Sequence, residues 1–287
     1  VTSGFTLSVN RGLKVDNGGG GISVPDGESL FYNGNLRGAG ALTKNGPGVL
    51  RLTGNSTNSG PVTISAGSVE VAPRDNRCRP LGSGAVTNNS DLFLDFDTNA
   101  AFTQPLSGNG TLRIRYTGTG DALFLSDATH SGGTEITGGV TLGNGTGRGD
   151  LGSGEIALKT ANSQLTFQVS TIGETVFANR ITGPGSLRKK GNDRITLTGN
   201  NDYQGTTTIS AGRLQIGDGG TSGLPGQGTV SLDGGNLIFD RSGDITLANR
   251  LEGSQHLVHR GPDTITLTGR AAYTGRTHTP GGGSIVF

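Results

Sequence analysis

The sequence predicts an all-β chain wound as a single-stranded parallel β-solenoid of about 12 turns, with almost no helix. Three observations carry this. A phrase of some 36 residues recurs along the chain. The apolar residues inside it alternate with polar ones. Glycine, at 54 of 287 residues, punctuates short runs rich in Val, Ile, Thr and Leu.

The elements follow in order. Near the start, Phe5, Leu7 and Val9 share one parity, as a strand with one buried face requires. The first copy of the phrase occupies 36–71 and contains "LTKNGPGVLRLTGN". Sliding it by 145 positions lays it on 181–216 of the copy at 181–217, with "LRKKGNDRITLTGN", and gives 15 identities in 36 positions, including the shared "TISAG". A worn copy occupies 106–142 and a fourth 251–287, so the spacings are 70, 75 and 70. Between copies runs a second recurring line, at 81 ("LGSGAVTNNSDLFLDF"), 151 ("LGSGEIALKTANSQLTFQ") and 224 ("LPGQGTVSLDGGNLIFD"). In "DLFLDFD", Leu92, Leu94 and Phe96 alternate with Asp91, Phe93, Asp95 and Asp97; in "RITLT", Ile195 and Leu197 alternate with polar neighbours.

A unit of 70 residues holds about three turns. One turn cannot bury its own apolar face, but stacked turns share a continuous core. Leu42, Leu52, Ile64, Leu187, Leu197 and Ile209 are expected inside, and equivalent residues are expected at the same corner three or six turns apart. The recurring glycines, Gly199 and Gly269 among them, are expected at corners that need positive φ. Residues 1–287 are expected to form one continuous β-helix, a fragment of a longer protein.

Composition narrows the function. Lys+Arg 23 nearly balances Asp+Glu 22, for a net charge of +1, so no electrostatic footprint for nucleic acid is present. No run of 18 apolar residues exists. The single Cys78 excludes an intramolecular disulfide and has no thiolate-stabilising context.

The segment "GPGSLRKKGNDRITLTGNNDYQGTTTISAGRLQIG" (183–217) resembles the passenger-associated transport repeat of bacterial autotransporters. The copy at 36–71 departs from it in having Asn58 where Tyr203 and Tyr273 stand in the others. The resemblance implies a right-handed parallel β-helix, carried to the surface of a Gram-negative bacterium or released, through a C-terminal translocator barrel. It implies an adhesin, aggregation or virulence role. The alternatives are a stalk that presents another domain and, more weakly, a β-helix enzyme acting on polysaccharide.

No catalytic site, metal site or cofactor is expected. His256 and His259 alternate to opposite faces, and no G-x-S-x-G elbow is present. Asp91, Asp95 and Asp97 share a face by parity, which reads as a solvated outer surface. Arg74, Arg77 and Arg79 form one basic patch; Arg188, Lys189 and Lys190 form another. Arg148-Gly149-Asp150 lies in "LGNGTGRGDLGSG", made mostly of Gly, Asn, Thr and Ser, and is expected to be an exposed loop. An exposed Arg-Gly-Asp is an integrin-binding tripeptide, so these three residues are the candidate receptor contact. A host receptor or matrix, and self-association, are the expected partners.

Overall fold

A computed structural model describes residues 4–7 (backbone only), 12–73, 79–97, 101–144, 149–169 and 174–287. The fold is all-β, a right-handed parallel β-solenoid of about 13 turns, with no helix among the described residues. Contacts divide the chain into two units. The first is Val1–Val140 with Gly149–Gly154; the second is Thr141–Arg148 with Glu155–Phe287.

In the first unit each turn lays strands into three directions. One sheet stacks Ser29–Tyr32, Val49–Leu52, Ser68–Val71, Asp91–Phe96, Thr111–Tyr116 and Thr134–Thr137, all parallel. A second stacks Gly20–Ser23, Leu42–Asn45, Val62–Ile64, Val86–Asn88 and Leu106–Ser107. Short pairs, such as Ala101–Phe102 with Ala122–Phe124, close the third side. The second unit repeats this plan. One sheet stacks Ser186–Lys189, Thr207–Ile209, Val230–Leu232 and Leu251–Gly253. Another stacks Glu174–Phe177, Arg194–Leu197, Gly212–Ile216, Gly235–Phe239 and Leu257–His259.

Alternation decides which side chains enter the coil. Tyr32, Leu52, Val71, Leu94, Ile114 and Ile136 stack in register over six turns, and each is buried. Phe177, Leu197, Ile216 and Phe239 do the same in the second unit. Each such side chain contributes about 1.5–3 kcal/mol of burial. Phe102 and Phe124 stack one turn apart, with centroids 5.2 Å from each other. Leu42, Leu52, Ile64, Leu187, Leu197 and Ile209 all lie inside, as the alternation requires.

Two expectations need correction. Leu106 lies directly on the ladder of Leu42, through Val62 and Val86, 64 residues on. Leu251 lies on the ladder of Leu187, again 64 residues on. The phrase, however, recurs after 70. Leu257, the repeat equivalent of Leu187, therefore stands on the neighbouring sheet, above Leu237. Equivalent residues do not share a corner: each copy begins one face further round the coil. The second correction concerns glycine. Gly38, Gly108, Gly183 and Gly253 have positive φ (95° to 110°), as a corner demands. Gly199 and Gly269 do not. There a Cβ would stand 2.1–2.2 Å from the carbonyl oxygens of Asn179 and Asn249 one turn below, so the close approach of the backbone, not φ, excludes a side chain.

Candidate binding surface

The outer face of the first unit's long sheet carries the opposite half of each alternation. Residues facing outward at one level stack on those of the next turn, so charges on successive turns meet. Arg51 pairs with Glu70 at 3.3 Å. Arg113 bridges Asp91 at 3.1 Å and Glu135 at 3.4 Å, linking three turns. Arg115 grips Asp95 with two bonds, Nε to Oδ1 at 2.7 Å and a terminal nitrogen to Oδ2 at 2.5 Å. The three carboxylates grouped by parity thus face outward, and two of them are neutralised by arginines on the turn above. Asp91 is half-buried, and desolvation raises its pKa despite Arg113 and the Ser68 hydroxyl. In the second unit Arg180 joins Glu155 (3.3 Å) to Asp202 (2.5 Å) in the same way. Such exposed pairs set register and surface charge and contribute little stability.

The basic patches fare differently. Of the first, Arg74, Arg77 and the neighbouring Cys78 lie outside the described residues, and Arg79 is exposed. The second is broken by parity. Arg188 and Lys190 are half-exposed, but Lys189 points into the coil and is fully buried. Its Nζ donates to the carbonyls of Lys190 and Gly191, at 2.7 and 2.8 Å, and to Asp193 Oδ1 at 2.8 Å. Its repeat equivalent Lys44 is equally buried and donates to the carbonyls of Asn45, Gly46 and Ala66 at 2.8–3.1 Å. At the same position of the fourth copy, His259 donates to the Asp263 carbonyl at 2.7 Å. The basic residue of "LxKxG" is therefore an internal clasp on the glycine corner. Desolvation lowers the pKa of both lysines. The signal was available: the lysine occupies the inward parity set by Leu42 and Leu187.

Of the candidate receptor contact, Arg148 lies outside the described residues. Gly149 is buried, and Asp150 is partly exposed. The Asp150 amide donates to the Ser126 carbonyl at 2.9 Å, and its Oδ1 accepts from the Gly152 amide at 3.0 Å. Ser153 likewise donates to His130 one turn below. From Asp150 onward the backbone is therefore a fixed corner of the coil, where the composition predicts a loose loop. Beneath it His130 is buried, its Nε2 in a hydrogen bond with Thr134 Oγ1 at 3.0 Å, and burial lowers its pKa.

Comparison with known proteins agrees with this architecture. Residues 42–71 and 187–216 match the passenger-associated-transport-repeat family. Over 285 residues, 95% of this chain, the sequence is 31% identical to the "Adhesin BmaC autotransporter" of Brucella suis biovar 1 (strain 1330). The chain spans 7% of that protein's length. No solved structure matches. With a β-solenoid whose corners are clasped by the residues of two such repeats, the chain is autotransporter passenger sequence.

Proposed function

We infer that this passenger sequence serves as an adhesive module at the surface of a Gram-negative bacterium, or released from it, and that it works without enzymatic activity. The likeness over nearly the whole chain to an autotransporter named as an adhesin carries this reading. The outer faces support it. They present Arg, Asp and Glu paired turn by turn beside Thr and Asn, a surface suited to many weak contacts along the coil.

The discrete contact in this reading is Arg148-Gly149-Asp150, directed at an integrin-type receptor on a host cell. Holding Asp150 on a fixed corner reduces the entropy lost on binding. The Gly152 amide already draws on the Asp150 carboxylate and so weakens it as a ligand for a receptor cation, and adhesion in this reading depends on many copies per cell. Beads coated with the wild-type chain and with Asp150→Glu test this on integrin-bearing cells. The reading expects wild-type beads to bind and the variant to lose most of that binding. Equal binding removes the tripeptide from the account. Absence of binding to any host cell makes the chain a stalk that presents another part of the protein.

A further inference from the structure

A groove crosses the strands of the first unit. Asn33, Thr53, Ala72, Asp95 and Arg115 occupy one outward ladder over five successive turns. Ala72 is the smallest of the five and stands at the centre, so the surface dips between the longer side chains on either side. The depression has a volume of about 460 Å³, with Phe31 and Arg51 at one end and Asp97 and Thr117 at the other. At about 4.8 Å per turn the ladder runs about 19 Å. That volume falls within the usual range of small-ligand sites.

The chemistry of the walls narrows the occupant. Asp95 holds Arg115 through Nε and one terminal nitrogen, which leaves the second terminal nitrogen to donate. Phe93 fixes the guanidinium from beneath, with its ring centroid 5.4 Å from Cζ. Asn33 Oδ1 accepts from Thr53 Oγ1 at 2.7 Å, so the Asn33 amide nitrogen is left to donate. Asp97 is exposed and has no ion-pair partner among the described residues. The groove therefore offers fixed donors and acceptors side by side, with Arg51 and Arg115 already neutralised by Glu70 and Asp95. An acidic ligand would meet the uncompensated Asp97. A peptide adding itself as a strand would find no edge, because the strands beneath are paired on both sides.

We propose that this groove is a binding site for a neutral oligosaccharide, lying along the coil with its hydroxyls exchanging hydrogen bonds with Asn33, Asp97 and Arg115. The site stands independently of the adhesion reading, since a purified chain binds sugar whether or not it holds cells.

A printed array of neutral and acidic glycans, followed by calorimetric titration of the strongest neutral tetrasaccharide, tests it. Saturable binding is expected, with little dependence on salt. Ala72→Gln fills the dip from outside and is expected to weaken binding about tenfold, with the circular dichroism unchanged. If Ala72→Gln does not fold, Asn33→Ala and Thr117→Ala carry the comparison, each with about a threefold loss expected. The proposal is overturned by an array on which no neutral glycan binds. It is equally overturned by binding confined to acidic glycans and abolished by salt, or by variants that bind as tightly as the wild type.

Discussion

The copies at 36–71 and 181–217 build corners of one design, on different faces of the coil, with different internal chemistry. In the second, Lys189 has a carboxylate, Asp193, as well as two carbonyls. In the first, Gly48 stands where Asp193 would be, and Lys44 has carbonyls alone. A similar contrast recurs further along. Tyr203 is buried, and its hydroxyl meets Thr207 Oγ1 at 2.6 Å; burial raises its pKa. Asn58 takes its place in the first copy with Val62 opposite, and both polar ends of its side chain lack a partner among the described residues. Ladder position tolerates these changes because the backbone pairing between turns is the same; the polar satisfaction differs. Each copy leaves two buried polar atoms without a partner among the described residues, Asn58 Oδ1 and Nδ2 in the first and Asp193 Oδ2 and Asp202 Oδ1 in the second, so the place of the mismatch differs and not its extent.

Removing the clasps separates the two most sharply. Lys189→Met strands Asp193 as a buried unpaired charge and is expected to cost about 3–5 kcal/mol. Lys44→Met strands only carbonyls and is expected to cost about 1–3 kcal/mol. Urea melts of both variants measure this. If the two cost the same, Asp193 is not the difference between the corners. Adding Asp193→Leu to Lys189→Met is expected to return much of the loss.

A smaller effect, of opposite sign, comes from giving the first copy the second's pairing. Asn58→Tyr with Val62→Thr supplies the missing hydroxyl partner and is expected to raise stability by about 1 kcal/mol. Gly82 lies against the Asn58 carbonyl and Oδ1 as Gly226 lies against the Tyr203 ring, so both corners place a glycine beside this side chain. A lower thermal midpoint in the double variant would show that the first corner is too tight for the ring.

The smallest effect is a pH dependence at the worn copy, where His130 with Thr134 replaces the Tyr–Thr pair. Burial lowers the His130 pKa from its usual 6.5, so the unfolded chain takes up a proton before the folded one does. Stability from this group is complete above about pH 6.5 and falls as pH drops from there through the folded value. His130→Tyr is expected to flatten that slope; an unchanged slope between pH 7 and 5 assigns it to other groups.

The strand pattern, the solenoid class and the identity of the core leucines were legible in the sequence, because alternation and repetition encode burial directly. The interior role of Lys189 was legible too, but three basic residues in a row resemble a surface patch when parity is set aside. Asp150 was misread as part of a loose loop because glycine content reports conformational freedom in an isolated chain. It does not report the hydrogen bonds that Ser126 and His130 supply from the turn below. The groove could not be seen in any local window. Asn33, Ala72 and Arg115 come together only through pairing register, and the insertion between Val71 and Asp91 conceals that register in the linear sequence.

The mismatch between a 64-residue climb of three turns and a 70-residue phrase works like a vernier. When such a chain lengthens by duplicating its phrase, each new copy turns a different flank outward. Three duplications are needed before the original aspect returns. Lengthening therefore multiplies corners of one design without lining up identical outward side chains in a single stripe. A coil built this way can grow while its exterior stays varied, and identical flat edges, which invite unwanted stacking between molecules, are kept apart.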